Sequence, residues 1–64
     1  MQITLRVARV NAGLTQQQVE EKTGIARSTL TRWENGKTRP NEANKERLCK
    51  LYQIEQSRIT WQKG

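Results

Sequence analysis

Helical periodicity along almost the whole chain predicts an all-α fold, a compact bundle of four to five helices. Two further observations support that class. No segment shows the sustained apolar–polar alternation of a half-buried strand, and each periodic stretch is bounded by helix start and stop residues. At 64 residues the chain, residues 1–64, reads as one domain near the lower limit for folding without staples or a partner. That size leaves no room beside the core for an enzyme's usual substrate cleft.

The first helix is expected over about Ile3 to Ala12, with Leu5, Ala8, Arg9 and Ala12 on one face and Gly13 at the position of a C-terminal glycine stop. Ile3, Val7 and Val10 form a second apolar stripe. Either a C-terminal segment covers it or it joins a subunit interface. Thr15 and Gln18 have the spacing of a capping box, which opens the second helix at Gln16. Val19 is its clearest core residue, and Gly24 ends it in a turn that calls for positive φ. The third helix runs from about Ala26 to Glu34 and stops at Asn35-Gly36. A basic loop follows, Lys37-Thr38-Arg39-Pro40. Asn41 is a good N-cap for a fourth helix over Glu42 to Tyr52, with Leu48, Leu51 and Tyr52 facing inward. Ile54, Ile59 and Trp61 suggest a short last helix.

Residues of about 16–35 thus form two short helices joined by a tight turn, and the second of them carries the chemistry. At about 100° per residue, Arg27, Ser28, Thr31 and Arg32 fall on one face, with Leu30 and Trp33 on the other. A helix anchored on one side and polar on the other can dock in the DNA major groove. Arg27 and Arg32 can each donate a bidentate pair to guanine O6 and N7. Ser28 and Thr31 can bond either base type, and the Thr31 methyl can meet a thymine methyl. Gln16 and Gln17 open the preceding helix, where free backbone N–H groups and the positive dipole end favour a phosphate. Asn35, Lys37, Thr38 and Arg39 are the other candidate phosphate contacts. Such contacts fix register and carry salt dependence without reading sequence.

Composition agrees with that chemistry. Twelve Lys+Arg against six Asp+Glu give a net charge of +6, which draws a protein toward phosphate backbones or anionic surfaces. No apolar run approaches the roughly 20 residues of a membrane span, and the first residues lack a signal peptide's charged and apolar regions. The single cysteine, Cys49, excludes an internal disulfide and fits a reducing compartment. With one cysteine and no histidine, no metal site is expected. No catalytic residues, cofactor, small-molecule substrate or membrane partner is expected either. Glu20 and Glu21 are adjacent and diverge on a helix, so they do not make a catalytic carboxylate pair. The expected location is cytoplasmic.

From Leu5 to Tyr52 the sequence resembles the DNA-binding domain of phage repressors and Cro proteins, the XRE family. The matching stretch is Leu14-Thr15-Gln16-Gln17-Gln18-Val19, then Gly24-Ile25-Ala26-Arg27-Ser28-Thr29-Leu30-Thr31-Arg32-Trp33-Glu34-Asn35-Gly36-Lys37, then Pro40. The resemblance implies a lambda-repressor-like helix-turn-helix bundle. It also implies a homodimer on a pseudo-palindromic double-stranded operator, in a bacterial cytoplasm or nucleoid, with a bacterial or a phage gene as its source. It implies that Gln16 contacts phosphate, that Arg27, Ser28 and Arg32 face bases, and that Arg9 and Glu34 form a partly buried ion pair. Three positions depart from the pattern. Glu20 stands where the family prefers a small residue, so its carboxylate escapes sideways or the two helices sit further apart. Ala26 replaces a frequent Ser or Thr cap. Gln53 and Glu55 stand where a glycine and a capping serine are common.

A protein-interaction module on the same fold, of antirepressor or antitoxin type, is the competing reading, because fold alone does not fix function. A protein-binding face calls for apolar anchors on the third helix, whereas its outward set is Arg27, Ser28, Thr31 and Arg32. Within DNA binding, a stand-alone Cro-like repressor leads. A restriction–modification controller, an antitoxin and the N-terminal part of a longer repressor follow.

Overall fold

A computed structural model describes residues 2–61. It begins with a two-residue strand β1 (Ile3–Thr4), followed by helices α1 (Leu5–Asn11), α2 (Gln16–Thr23), α3 (Arg27–Glu34) and α4 (Glu42–Tyr52). A 3-10 turn (Gln56–Arg58) and a second short strand β2 (Ile59–Thr60) close the described chain. The class is all-α, with four helices among the described residues.

Local chemistry explains the helix bounds. Thr15 caps α2 by accepting the Gln18 N–H at 3.1 Å while the Gln18 side chain accepts the Thr15 N–H at 2.9 Å. Gly24 ends α2 in the left-handed region at φ 78, where a side chain adds strain. The Thr23 hydroxyl seals that end, donating to Val19 O at 2.7 Å and accepting from Ile25 N–H at 3.1 Å. Asn41 caps α4 through Asn44 N–H at 2.9 Å. Helix α3 has no side-chain cap at Ala26, so its first N–H groups lack the roughly 1 kcal/mol a Ser or Thr supplies. Its other end is closed by Gly36 N–H to Trp33 O and Lys37 N–H to Arg32 O, the paired bonds of a Schellman turn.

Two expectations are corrected at the chain's ends. The first helix begins at Leu5, not Ile3. Thr4 is its N-cap, accepting from Val7 N–H at 3.1 Å, and Ile3 pairs instead in parallel with Ile59. The segment expected as a last helix is the 3-10 turn followed by β2. Gln2 clamps this junction, donating to Ser57 O at 3.0 Å and accepting from the Thr60 hydroxyl at 3.2 Å.

The core gathers Leu5 and Ala8 of α1, Val19 of α2, Ile25 of the turn, Leu30 of α3, Leu48, Cys49 and Tyr52 of α4, and Ile59 of β2. Val19, Leu30, Leu48 and Ile59 are the most deeply buried, and each contributes about 1.5–3 kcal/mol by leaving water. Leu51, expected to face inward, is half-buried. Trp61 packs on this core with its indole N–H donating to Gln56 O at 3.1 Å and the Lys45 ammonium 5.4 Å from its ring centre. The second stripe of α1 divides: the C-terminal segment covers Ile3, while Val7 and Val10 stay 41% and 56% exposed.

Candidate nucleic-acid interface

Helix α3 is anchored from below by Leu30, which is fully buried, and by half-buried Trp33. Arg27, Ser28 and Arg32 are exposed on its outer side. Thr31 lies lower. It is half-buried, and its hydroxyl donates to Gln16 Oε1 at 3.2 Å. Of the four residues expected on this face, three stand outward and the fourth is partly committed to the junction with α2.

Gln16 joins more than the sequence indicated. As the first residue of α2 it receives the Thr31 hydroxyl on its carbonyl oxygen and donates its amide to Glu34 Oε1 at 3.0 Å. Glu34 is held in turn by Arg9. Nε donates to Oε2 at 2.7 Å, Nη2 to Oε1 at 3.4 Å, and Nη1 to the Leu14 carbonyl at 2.9 Å. The Arg9 and Glu34 side chains are 11% and 4% exposed. One carboxylate therefore ties α1, α2 and the end of α3 together, with its own charge withdrawn from the surface.

The Tyr52 hydroxyl is buried beside this group without a hydrogen-bond partner. Burial pushes its ionisation well above the ordinary tyrosine range. The Glu34 charge adds to that shift and the Arg9 charge opposes it. Burial likewise raises the Cys49 thiol, which fits a packing residue.

The surrounding candidates are distributed over two regions. Gln17 is exposed in the first turn of α2, and Asn35, Lys37 and Thr38 are exposed just beyond α3. Arg39 is also exposed but lines a shallow groove with Gln2, Lys45 and Trp61, toward the C-terminal segment. Pro40 is buried and fixes the loop's exit into α4. Among the described residues, no three His, Cys, Asp or Glu side chains converge as a metal site, and no helix is long and apolar enough to cross a membrane.

Glu20 answers the packing question its size raises. Its carboxylate turns sideways, and Oε1 lies 3.1 Å from Arg27 Nε. Sequence reasoning flagged the departure but not the partner. The available signal was the seven-residue offset, which sets the middle of α2 against the first turn of α3 once Gly24 reverses the chain.

Two short helices at a tight turn, the second presenting arginine and hydroxyl groups from a rigid base, define a helix-turn-helix DNA-binding unit. The sequence matches the family described as Helix-turn-helix domain over residues 3–61, and the chain belongs to that family of DNA-binding regulators. Comparisons with curated proteins and with solved structures give no match.

Proposed function

We propose that the protein is a sequence-specific regulator of transcription that binds double-stranded DNA with α3 in the major groove. Its best-fitting role is that of a Cro-like repressor working in the cytoplasm. The observation that carries the reading is the outward set of Arg27, Ser28 and Arg32 on a helix locked from behind by the Glu34 group. Arg27, in the first turn, is the deepest reader, with Ser28 and Arg32 beside it. Thr31 contributes through its methyl or as an acceptor, since its hydroxyl proton is given to Gln16. Phosphates are held by the first-turn N–H groups of α2 at Gln16 and Gln17, and by Asn35, Lys37, Thr38 and Arg39.

A domain this small holds one half-site weakly. Paired copies on half-sites about one helical turn apart supply the affinity. The exposed Val7 and Val10 lie on α1 and are the candidate contact between copies. Their position also weighs against the protein-interaction alternative for α3, whose outer face offers no apolar anchor.

Selection of bound duplexes from a randomised pool tests the reading, because it reports base preference, half-site spacing and symmetry together. The expected result is a pseudo-palindromic site. Arg27→Ala should flatten the preference at one position per half-site and cost about 1–3 kcal/mol. An unstructured pool, or equal weakening of Arg27→Ala on every duplex, would overturn base reading by α3.

A further inference from the structure

We infer that Glu20 is a specificity residue that positions Arg27, turning its guanidinium so that its terminal edge reads a guanine. The inference rests on the proposed entry of α3 into the major groove and adds to it a residue on the other helix.

The geometry is asymmetric. The nearest approach of the carboxylate to Arg27 is at Nε, 3.1 Å away, on the inner side of the guanidinium. A guanidinium is planar and rigid, so engaging the Nε side leaves the Nη1–Nη2 edge uncommitted, and paired N–H donors of this fork match O6 and N7 of guanine. The pair sits at the rim of the helix-turn-helix unit, with side chains 60% and 40% exposed for Arg27 and Glu20. Exposed pairs of this kind add little to stability, so support of the fold does not explain it. Among the described residues it is the only ion pair made by an outward residue of α3.

The charge has a second effect. A carboxylate beside Arg27 disfavours approach of a phosphate to the same guanidinium, which biases the arginine toward base edges and away from sequence-blind backbone contact. Where the facing base is not guanine, the pair is desolvated in the groove with its outer donors unmatched, and unmatched buried donors carry a penalty. Glu20 therefore raises the difference between right and wrong bases without itself touching DNA.

The test compares wild type, Arg27→Ala, Glu20→Gln and Glu20→Ala on one randomised duplex pool, with thermal melting as a check on folding. Arg27→Ala first identifies the position Arg27 reads. If it flattens no position, base reading by Arg27 fails, and this inference fails with it. Given such a position, Glu20→Gln is expected to reduce its guanine preference about tenfold, to leave other positions unchanged, and to bind mismatched duplexes as tightly as wild type or more tightly. Unchanged guanine preference in both Glu20 variants would overturn the inference while leaving the DNA-binding reading intact. Uniform weakening at every position would overturn it too, by assigning Glu20 a purely structural role.

Discussion

Glu34→Ala probes the group on which the recognition helix rests. The carboxylate accepts from Arg9 Nε, Arg9 Nη2 and Gln16 Nε2 at 2.7, 3.4 and 3.0 Å, and its side chain is only 4% exposed. Truncation leaves an 11% exposed guanidinium with the Leu14 carbonyl as its remaining partner, and a Gln16 amide with none. Breaking a buried pair by removing one member costs about 3–5 kcal/mol. A chain of 64 residues is stabilised by roughly 3–10 kcal/mol in total, at the usual value per residue. The substitution therefore removes much or all of the folded state's margin. In a domain of this size each kcal/mol moves Tm by about 4–8 °C, so a fall of roughly 12–40 °C is expected. Far-UV circular dichroism against temperature and urea measures it. The double replacement Arg9→Met with Glu34→Leu separates net stabilisation from the cost of an orphaned charge. It is expected to recover most of the loss, because no buried ion is left alone. A Glu34→Ala Tm within about two degrees of wild type would refute the reasoning, as would a double variant showing the plain sum of the two single losses.

Gln53 closes α4 in the left-handed region at φ 57, so Gln53→Gly is expected to stabilise by about 1 kcal/mol, read as a higher urea midpoint at unchanged m. Tyr52→Phe removes a buried hydroxyl that has no partner and is expected to be neutral or to stabilise by about 1 kcal/mol. The same variant tests linkage. The folded-state pKa of Tyr52 is raised above its ordinary 10.0, so the unfolded chain gives up its proton first and binds fewer protons as pH rises. Stability is then whole below pH 10 and falls above it; a wild-type alkaline loss equal to that of Tyr52→Phe would contradict this. Lys37→Ala should weaken binding about equally on all duplexes and lower the salt slope by about one. A changed base preference in filter binding or fluorescence anisotropy would instead make Lys37 a base reader.

What was legible in the sequence was what short-range chemistry decides. The Thr15–Gln18 box and the Asn41 cap act within one turn, and the bounds they imply for α2 and α4 are the observed ones. The ends of the chain were illegible for the opposite reason. Ile3 continues the apolar spacing of α1, yet its partner is Ile59, and a pairing two residues long is too brief to show alternation. Ile59 and Trp61, two apart, carried strand-like spacing, as did Ile3, Leu5 and Val7, and both read as noise beside a helical pattern. The same division holds at the site. Which residues of α3 face outward follows from helical spacing, so Arg27, Ser28 and Arg32 could be named. The tilt of α3 against α2 is decided by tertiary contact, and it draws the Thr31 hydroxyl inward to Gln16.

These contacts explain why so little apolar material suffices to present α3. The helix has no side-chain N-cap, and of its eight residues only Leu30 is fully withdrawn from water. Apolar burial alone leaves such a short helix poorly fixed about its own axis, since one knob does not resist rotation. The polar contacts lie at other heights along it: Glu20 opposite Arg27 in the first turn, Gln16 at Thr31 in the middle, and Arg9 with Gln16 at Glu34 in the last. Hydrogen bonds have direction where apolar contacts do not, so those at Thr31 and Glu34 set the rotation and tilt of the helix, while the exposed Glu20 pair orients the Arg27 side chain. Losing the partly exposed Glu20 contact should therefore free only the Arg27 side chain, whereas losing Glu34 releases the helix from both α1 and α2. Base preference at the Arg27 position and thermal stability are accordingly governed from opposite ends of α3, and substitutions at Glu20 and Glu34 should alter them separately.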